Sequence, residues 1–511
     1  MGIGHCALTA AQIVTQTASD LTYYVRTTGN DNNDGLSADT ALLTVQAAID
    51  KIPKLIKHIV IIDIGEGNFA GFYVTAFTLD KAATLTVKGV LGAPTLTSGT
   101  TSGTATGGST VQLIDSGQSW TVNELRGRLV LVDGNYRAVR NNDATTINFA
   151  HAFGSTCSGK AYSILEQKTV FNTNCALTTY RVCVRANVHT RDNLILRDLK
   201  LYGVTSGGGL LAIHTAGIYL QRVLATNFSS AGIALQKCSS ECNFADCVTM
   251  SNNSWGLNTI ASRLRNLDRH YSYSDKWPVV VQFGSNCSSG SLVVDSQTDS
   301  TGAGLQVANC TIVTLTSLTC EGCAGAGLYA YYSLTIDIPS FTSKTNKAGA
   351  WVWSVLHMDF GSVDVQDNTE DGFRVGGFSF IDIDSGTVAG NGGYGFYFNQ
   401  DSGSTYNRIA HGTLNLMGNI TVSSNTLGGI LCTNHGVVCV TNVDGSNTGY
   451  GLTLRTGASA VVTTDTGITG SSGDVTIDDG YTALTWASDF SADGDQVYNA
   501  TNGCRIERRD S

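Results

Sequence analysis

Between Thr301 and Gln400 the chain reads TGAGLQVAN (301–309), AGAGLYAYY (324–332), KAGAWVWSV (347–355), EDGFRVGGF (370–378) and GYGFYFNQ (393–400). Each stretch sets a glycine before an apolar residue, a variable one and a second apolar one. The glycines are Gly304, Gly327, Gly349, Gly372 and Gly395, at steps of 23, 22, 23 and 23 residues. A fixed period of this size, with no helical pattern between the anchors, marks a repeat architecture. The connecting residues are Val, Ile, Thr, Ser, Asn and Gly, which suit short strands and turns. About 22 residues of strand and turn make one rung of a parallel β-helix.

The period extends both ways. Upstream lie Gly256, Gly232 and Gly209, at steps of 24 and 23, and Trp277-Pro278-Val279-Val280-Val281 stands in the 48-residue gap before Gly304. Downstream a jump of 34 leads to Gly429 and a step of 22 to Gly451, so one rung carries a loop of extra residues. These eleven anchors predict ten or more rungs, roughly 50 Å of rod at ~4.8 Å per rung. The expected fold class is all-β.

A chain of 511 residues with 58 glycines and four prolines fits a turn-dense solenoid, which grows by repetition rather than by adding domains. A net charge of −10 disfavours nucleic acid and anionic membranes as partners. No apolar run reaches the ~20 residues of a membrane span, and residues 1–20 carry no secretory pattern. The 14 cysteines sit largely in apolar contexts and read as reduced, buried thiols. Cys287 and Cys310, one period apart, are candidates for stacking. The lone CxxC at Cys320–Cys323 lacks the second pair of a zinc site.

In chain order, residues 1–20 read as an arm and 21–91 as an N-terminal cap with the first rungs. A helix is expected over Thr44–Ile52, its apolar residues Val45, Ala48, Ile49 and Ile52 covering the open end of the solenoid. Residues 92–168 open with a Gly/Ser/Thr stretch and continue with short alternating strands and DG and NN turns, as a small inserted β module. The β-helix proper spans 169–455, and 456–511 would form a terminal cap or oligomerisation segment.

The stretch YYVRTTGNDNNDGLSADTALLTVQAAID (23–50) resembles the opening of pectate-lyase-like right-handed parallel β-helix proteins, among them phage tailspikes and secreted polysaccharide lyases and hydrolases. The family's proline before the helix is replaced here by Leu42-Leu43. The inserted module resembles those of phage tail and fibre proteins, and ITGSSGDVTIDDG (468–480) resembles the ends of phage-encoded β-helix proteins. The resemblance implies a homotrimeric tailspike-type virion protein, made in the host cytoplasm without a signal peptide. It would attach to other virion or tail proteins and bind, and in some members cleave, host surface polysaccharide. A non-enzymatic structural or adhesive appendage is the alternative.

Alternation along each anchored strand assigns two outward columns. One carries Tyr329, Tyr331, Trp351, Trp353 and Tyr397 around Arg374, with Asn399 at its end. Such aromatics could stack on sugar rings, bury between protomers, or lie under a loop. The other column, ten residues past each glycine, reads Thr314, Asp337, Asp359 and Asp382, each between apolar neighbours. Carboxylates ~5 Å apart on adjacent rungs, or ~9.6 Å across two, span the separations used by retaining and inverting glycosidases. Three readings stay open: solvated aspartates, a catalytic pair, or oxygen ligands for Ca2+, the one cofactor considered. His357 shares the face of Asp359. Lyases of the resembled family use Lys or Arg as base, and Arg374, expected beside the ladder, is the nearest counterpart.

Overall fold

Short runs of Val, Ile, Leu and Thr cut by Gly, Asn and Ser leave each rung too short to bury its own apolar face, so rungs must stack. In the computed structural model they do so as a parallel β-solenoid of about 16 turns. The structure describes residues 15–75, 77–172, 182–187, 193–203, 207–238, 242–252, 254–310, 312–398, 412–434, 436–462, 467–478, 483–487, 499–500 and 505–509. Residues 1–14 of the expected arm, and Asn399, lie outside them.

Three columns of strands build the rod. The glycine-anchored strands form one column of fifteen, here the aromatic face. It includes Ala303–Ala308, Ala326–Tyr331, Ala348–Trp353, Phe373–Gly376 and Tyr394–Phe398, paired so that Leu305, Leu328, Ala350, Phe373 and Phe396 lie one above another. The next column, the aspartate face, includes Ile312–Thr314, Thr335–Asp337, His357–Phe360, Phe380–Ile383 and Thr413–Leu416. A third face includes Ser317–Glu321, Ser340–Lys344, Ser362–Gln366 and Gly386–Ala389. Inward residues from all three make one continuous core, in which Phe373 stacks on Phe396 at 5.1 Å. Trp277–Gln282 fills the gap between Gly256 and Gly304. The rod exceeds the count of anchors because Phe72–Thr75, Val182–Asn187 and Gly473–Asp478 join the anchored column in rungs outside the glycine series.

The anchors are glycine because the chain comes too close for a side chain. A Cβ on Gly349 would meet the Gly372 carbonyl oxygen at 2.2 Å and Val365 Cγ1 at 2.4 Å. The turns before Gly349, Gly372, Gly395, Gly429 and Gly451 hold a buried asparagine ladder. Asn391 Nδ2 donates to Asn425 Oδ1 at 2.9 Å and to the Val365 carbonyl at 3.4 Å, and its Oδ1 accepts from Asn368 N and Nδ2 at 3.2 and 2.8 Å. Asn425 repeats this with Asn447, and Asn346 joins through its backbone N–H to Asn368 Oδ1.

At the N-terminal end the helix Val45–Lys51 buries Val45, Ala48 and Ile49 in the solenoid core. Thr44 caps it, accepting from Ala47 N, and Asp31 of the asparagine-rich loop accepts from Leu43 N, Thr44 N and Thr44 Oγ1. Strands from Leu91–Gly92 to Ala161–Gln167 form an antiparallel sheet with its own core around Trp120, Leu113 and Ile147. This module packs on the third face of rungs that follow it in the chain. Ala138 packs with Leu224, Val248, Tyr271 and Val293, and Arg140 donates to both oxygens of Asp295 at 2.8 and 2.7 Å. Beyond Arg455, the strands Ser459–Val462, Gly473–Asp478, Ala483–Ala487 and Arg505–Arg509 continue the parallel pairing. Ten of the described cysteines are free thiols, nine of them buried. Cys287 stacks on Val313, not on Cys310.

Two buried histidines tie stability to pH. Burial pushes both His151 and His270 from about 6.5 down to about 3. A folded pKa below the unfolded one gives stability that is complete above pH 6.5 and is lost as pH falls towards 3, by up to about 1.4 kcal/mol per unit for each group. Buried Asp275, pushed up to about 6, has the opposite sign: its contribution is complete below about pH 4 and fades as pH rises through 6. Two groups outweigh one, so acidification from pH 7 to 5 should lower the melting temperature, and His270→Gln should remove about three quarters of that loss, because Asp275 already offsets part of it. An undiminished loss in the variant would reject this account. Asn391→Ala strands the partners on both sides of it and should cost about 2–3 kcal/mol in denaturant unfolding.

Candidate functional site

Register decides which outward residues meet. On the aromatic face Gln306, Tyr329, Trp351, Arg374 and Tyr397 form one row, and Ala308, Tyr331, Trp353 and Gly376 the next. Beside them Ala303, Ala326 and Ala348 form a buried bed against which the Tyr329 and Trp351 rings pack. Methyl-sized residues there let the rings lie down instead of standing off the sheet. Tyr329 meets Trp351 edge-on at 5.8 Å and Tyr331 at 4.9 Å. Gln306 Nε2 donates to the Tyr331 hydroxyl at 2.9 Å. Lys347 Nζ lies 5.4 Å from the Trp351 ring centre and the Arg374 guanidinium 5.3 Å from that of Tyr397. Trp351 Nε1 is buried with no hydrogen-bond partner. Upstream on the same sheet Trp255 and Trp277 lie 5.8 Å apart. Near them is an open cleft of about 520 Å³ lined by Ser251, Ser274, Lys276, Thr298 and Asp299.

The aspartate face stacks Thr314, Asp337, Asp359, Asp382 and Asn415 in one register column. Their settings differ. Asp382 accepts from Asn415 Nδ2 at 2.6 Å through one oxygen and meets His357 Nε2 at 3.2 Å through the other. Burial raises the pKa of Asp359, and the carboxylates of Asp384, Asp337 and Asp382 raise it further, against a smaller opposing effect of His357. Like charges stacked one rung apart each favour the neutral form of a neighbour.

Most of the sequence-derived residues gather as two groups, and the two groups lie on different faces. Arg374 belongs to the aromatic row and faces away from the ladder, which removes it as a base beside the aspartates. The reason is the corner at Tyr332–Leu334 and its equivalents, which turns the chain between the two columns. His357 bonds across a rung to Asp382 rather than to Asp359. Asn415 escaped the count because ten residues past Gly395 falls at 405, and the extra residues of that rung push the ladder position downstream. Among the described residues no group of three or more His, Cys, Asp or Glu side chains is arranged to hold a metal ion.

Neither protein-family models nor curated proteins give a match to this chain. Solved structures similar to it include a glycoside hydrolase at 9% identity and TM-score 0.23, covering 96% of both chains. A second is the tailspike of Acinetobacter baumannii bacteriophage AP22, in complex with A. baumannii capsular saccharide, at 9% identity and TM-score 0.24, covering 92% of this chain and 77% of that one. A third is a tailspike from Pseudomonas phage LKA1, at 12% identity and TM-score 0.18, covering 93% and 72%. Likeness at this level carries no functional weight.

Asp384→Asn removes the neighbouring charge that acts most strongly on Asp359 and should lower the Asp359 pKa in a carboxyl NMR titration. An unmoved titration would mean that burial and the remaining carboxylates raise it without Asp384.

Proposed function

We propose that this chain is a tailspike-type virion protein that binds host cell-surface polysaccharide, with the aspartate ladder as the place of hydrolysis and the aromatic face as a separate surface that holds the polymer. The observation that carries the reading is the unequal pair Asp359 and Asp382, in register on adjacent rungs. Glycoside hydrolysis needs one carboxyl group that keeps its proton and one that does not. Asp359, with its raised pKa, suits the acid. Asp382, oriented by Asn415 and His357, suits the nucleophile.

A rung spacing of ~4.8 Å is close to the ~5–5.5 Å of retaining enzymes. Asp359 would protonate the glycosidic oxygen as that C–O bond breaks, while a carboxylate oxygen of Asp382 attacks the anomeric carbon. Water, losing a proton to Asp359, would then release the sugar from Asp382. Asp337, one rung away, would act by its charge on Asp359. Tyr329, Tyr331, Trp351, Trp353 and Tyr397 would stack on sugar C–H faces, with Arg374 for an acidic substituent. The resemblance of residues 23–50 to β-helix proteins of this kind supports the class of partner, and the net charge of −10 argues against nucleic acid. A purely adhesive appendage is favoured by one observation: the ladder stands on an open strand face, whereas the cleft at Lys276 and Asp299 lies on another part of the rod.

Reducing-end release from capsule or O-antigen tests the reading. Asp359→Asn and Asp382→Asn should each reduce cleavage at least 100-fold with the fold intact, and wild type should retain anomeric configuration. Binding of glycan without shortening would leave the adhesive appendage. Trp351→Ala should weaken glycan binding about tenfold or more.

A further inference from the structure

Upstream of the aspartates, the corner between the aromatic-face strand Ile233–Gln236 and the aspartate-face strand Cys242–Ala245 holds two thiols with no part in the proposed hydrolysis. Along this corner serine fills the place of Cys238. Cys238 N donates to Ser262 Oγ at 3.2 Å, Ser262 N to Ser285 Oγ at 3.1 Å, and Cys310 N to Ser333 Oγ at 3.2 Å. The place of Cys242 is taken by Ile218, Leu264, Cys287 and Val313 on neighbouring rungs. Among these rungs only one sets a thiol at both places, and serine and leucine elsewhere show that packing does not demand sulfur at either. Cys238 and Cys242 are buried in the common core. Cys238 Sγ lies 3.6 Å from the Ala212 carbonyl oxygen and 3.7 Å from that of Gln236, and the Cys242 thiol hydrogen-bonds to it. That bond, with the Thr215 N–H and the Ser262 hydroxyl, holds the Cys238 thiol below its ordinary pKa against the opposing effect of burial. At Cys287, Cys310 and Cys323 burial dominates and pushes the thiols up to about 12.

We propose that Cys238 and Cys242 are a redox site, at which hydrogen peroxide converts the two thiols to a disulfide that ties the two strands across their corner. Thiols already in hydrogen-bond contact need only a short approach to reach an S–S bond of about 2.05 Å. Burial selects the oxidant, keeping out bulky disulfides and admitting a molecule little larger than water. The Cys238 thiolate is the nucleophile, since the thiolate is the reactive form. It attacks one peroxide oxygen; an S–O bond forms as the O–O bond breaks, and the departing hydroxide takes up the proton that Cys238 lost and leaves as water. Cys242 then gives up its proton and attacks the sulfenic sulfur of Cys238. The S–S bond forms as the S–O bond breaks, and a second water leaves. Two thiols lose two electrons and the peroxide gains two. The site stands independently of the proposed hydrolysis.

Mass spectrometry of the full chain tests this, after treatment with hydrogen peroxide in native buffer, alkylation in denaturant and digestion with trypsin. The peptide 238–263 carries Cys238, Cys242 and Cys247. After oxidation it should be about 2 Da lighter before labelling and take one alkyl group instead of three. Dithiothreitol before alkylation should restore all three. Cys320 and Cys323 in the same sample should oxidise at least tenfold more slowly. In Cys242→Ser, Cys238 should stop at the sulfenic acid and be trapped by dimedone, whereas Cys238→Ser should give no adduct at Cys242. Wild type decides the matter even if a variant fails to fold. Three alkyl groups on its peptide after peroxide would overturn the site, as would oxidation that dithiothreitol does not reverse or an equal rate at Cys320 and Cys323.

Discussion

Everything in this rod depends on successive turns stacking in register, residue over residue. A slip of one residue would carry every core side chain to the solvent face. Strand hydrogen bonds alone do not forbid such a slip, since parallel ladders look alike from one residue to the next. The asparagine ladder does, because each buried side-chain oxygen must meet the N–H groups of the equivalent asparagine in the neighbouring turn. An unmatched buried amide costs more than a matched one gains. The glycine anchors act with it, admitting only the one close approach of turn to strand that the backbone carbonyls allow.

The same stacking that builds the core creates the chemistry on the outside. Any residue type repeated at the ladder position is held one rung from its copies, so three aspartates are forced into a column that free side chains in water would avoid. Their inequality then comes from the neighbours. Asn415 and His357 converge on Asp382, while Asp359 is flanked on several sides by carboxylates. On the adjoining face alanines bed the Tyr329 and Trp351 rings, which would lower the ordering cost of the sugar binding proposed there. Between the two faces runs a corner with exposed apolar residues.

Much of this was legible in the residues because a solenoid writes its structure locally. Period gave the rungs, alternation gave the faces, and counting from Gly327, Gly349 and Gly372 aligned Asp337, Asp359 and Asp382. Rungs without a glycine, such as those through Phe72–Thr75 and Val182–Asn187, fell outside the count. The asparagines were legible too, since Asn368, Asn391, Asn425 and Asn447 each precede an anchor by four residues. In a turn, however, an asparagine reads first as a turn former.

The sequence by itself determined the repeat, the inward and outward columns and the identity of the residues that stack, because each depends only on spacing along the chain. Tertiary structure alone decided how those columns face one another. The corner sends Arg374 and the aromatic row away from the aspartates, the long rung brings Asn415 to Asp382, and the module from residues 92–168 lies across the third face near Asp295. These relations depend on the angle of a turn, on the residues looped out of a rung, and on docking between surfaces far apart in the chain. No local period encodes any of them.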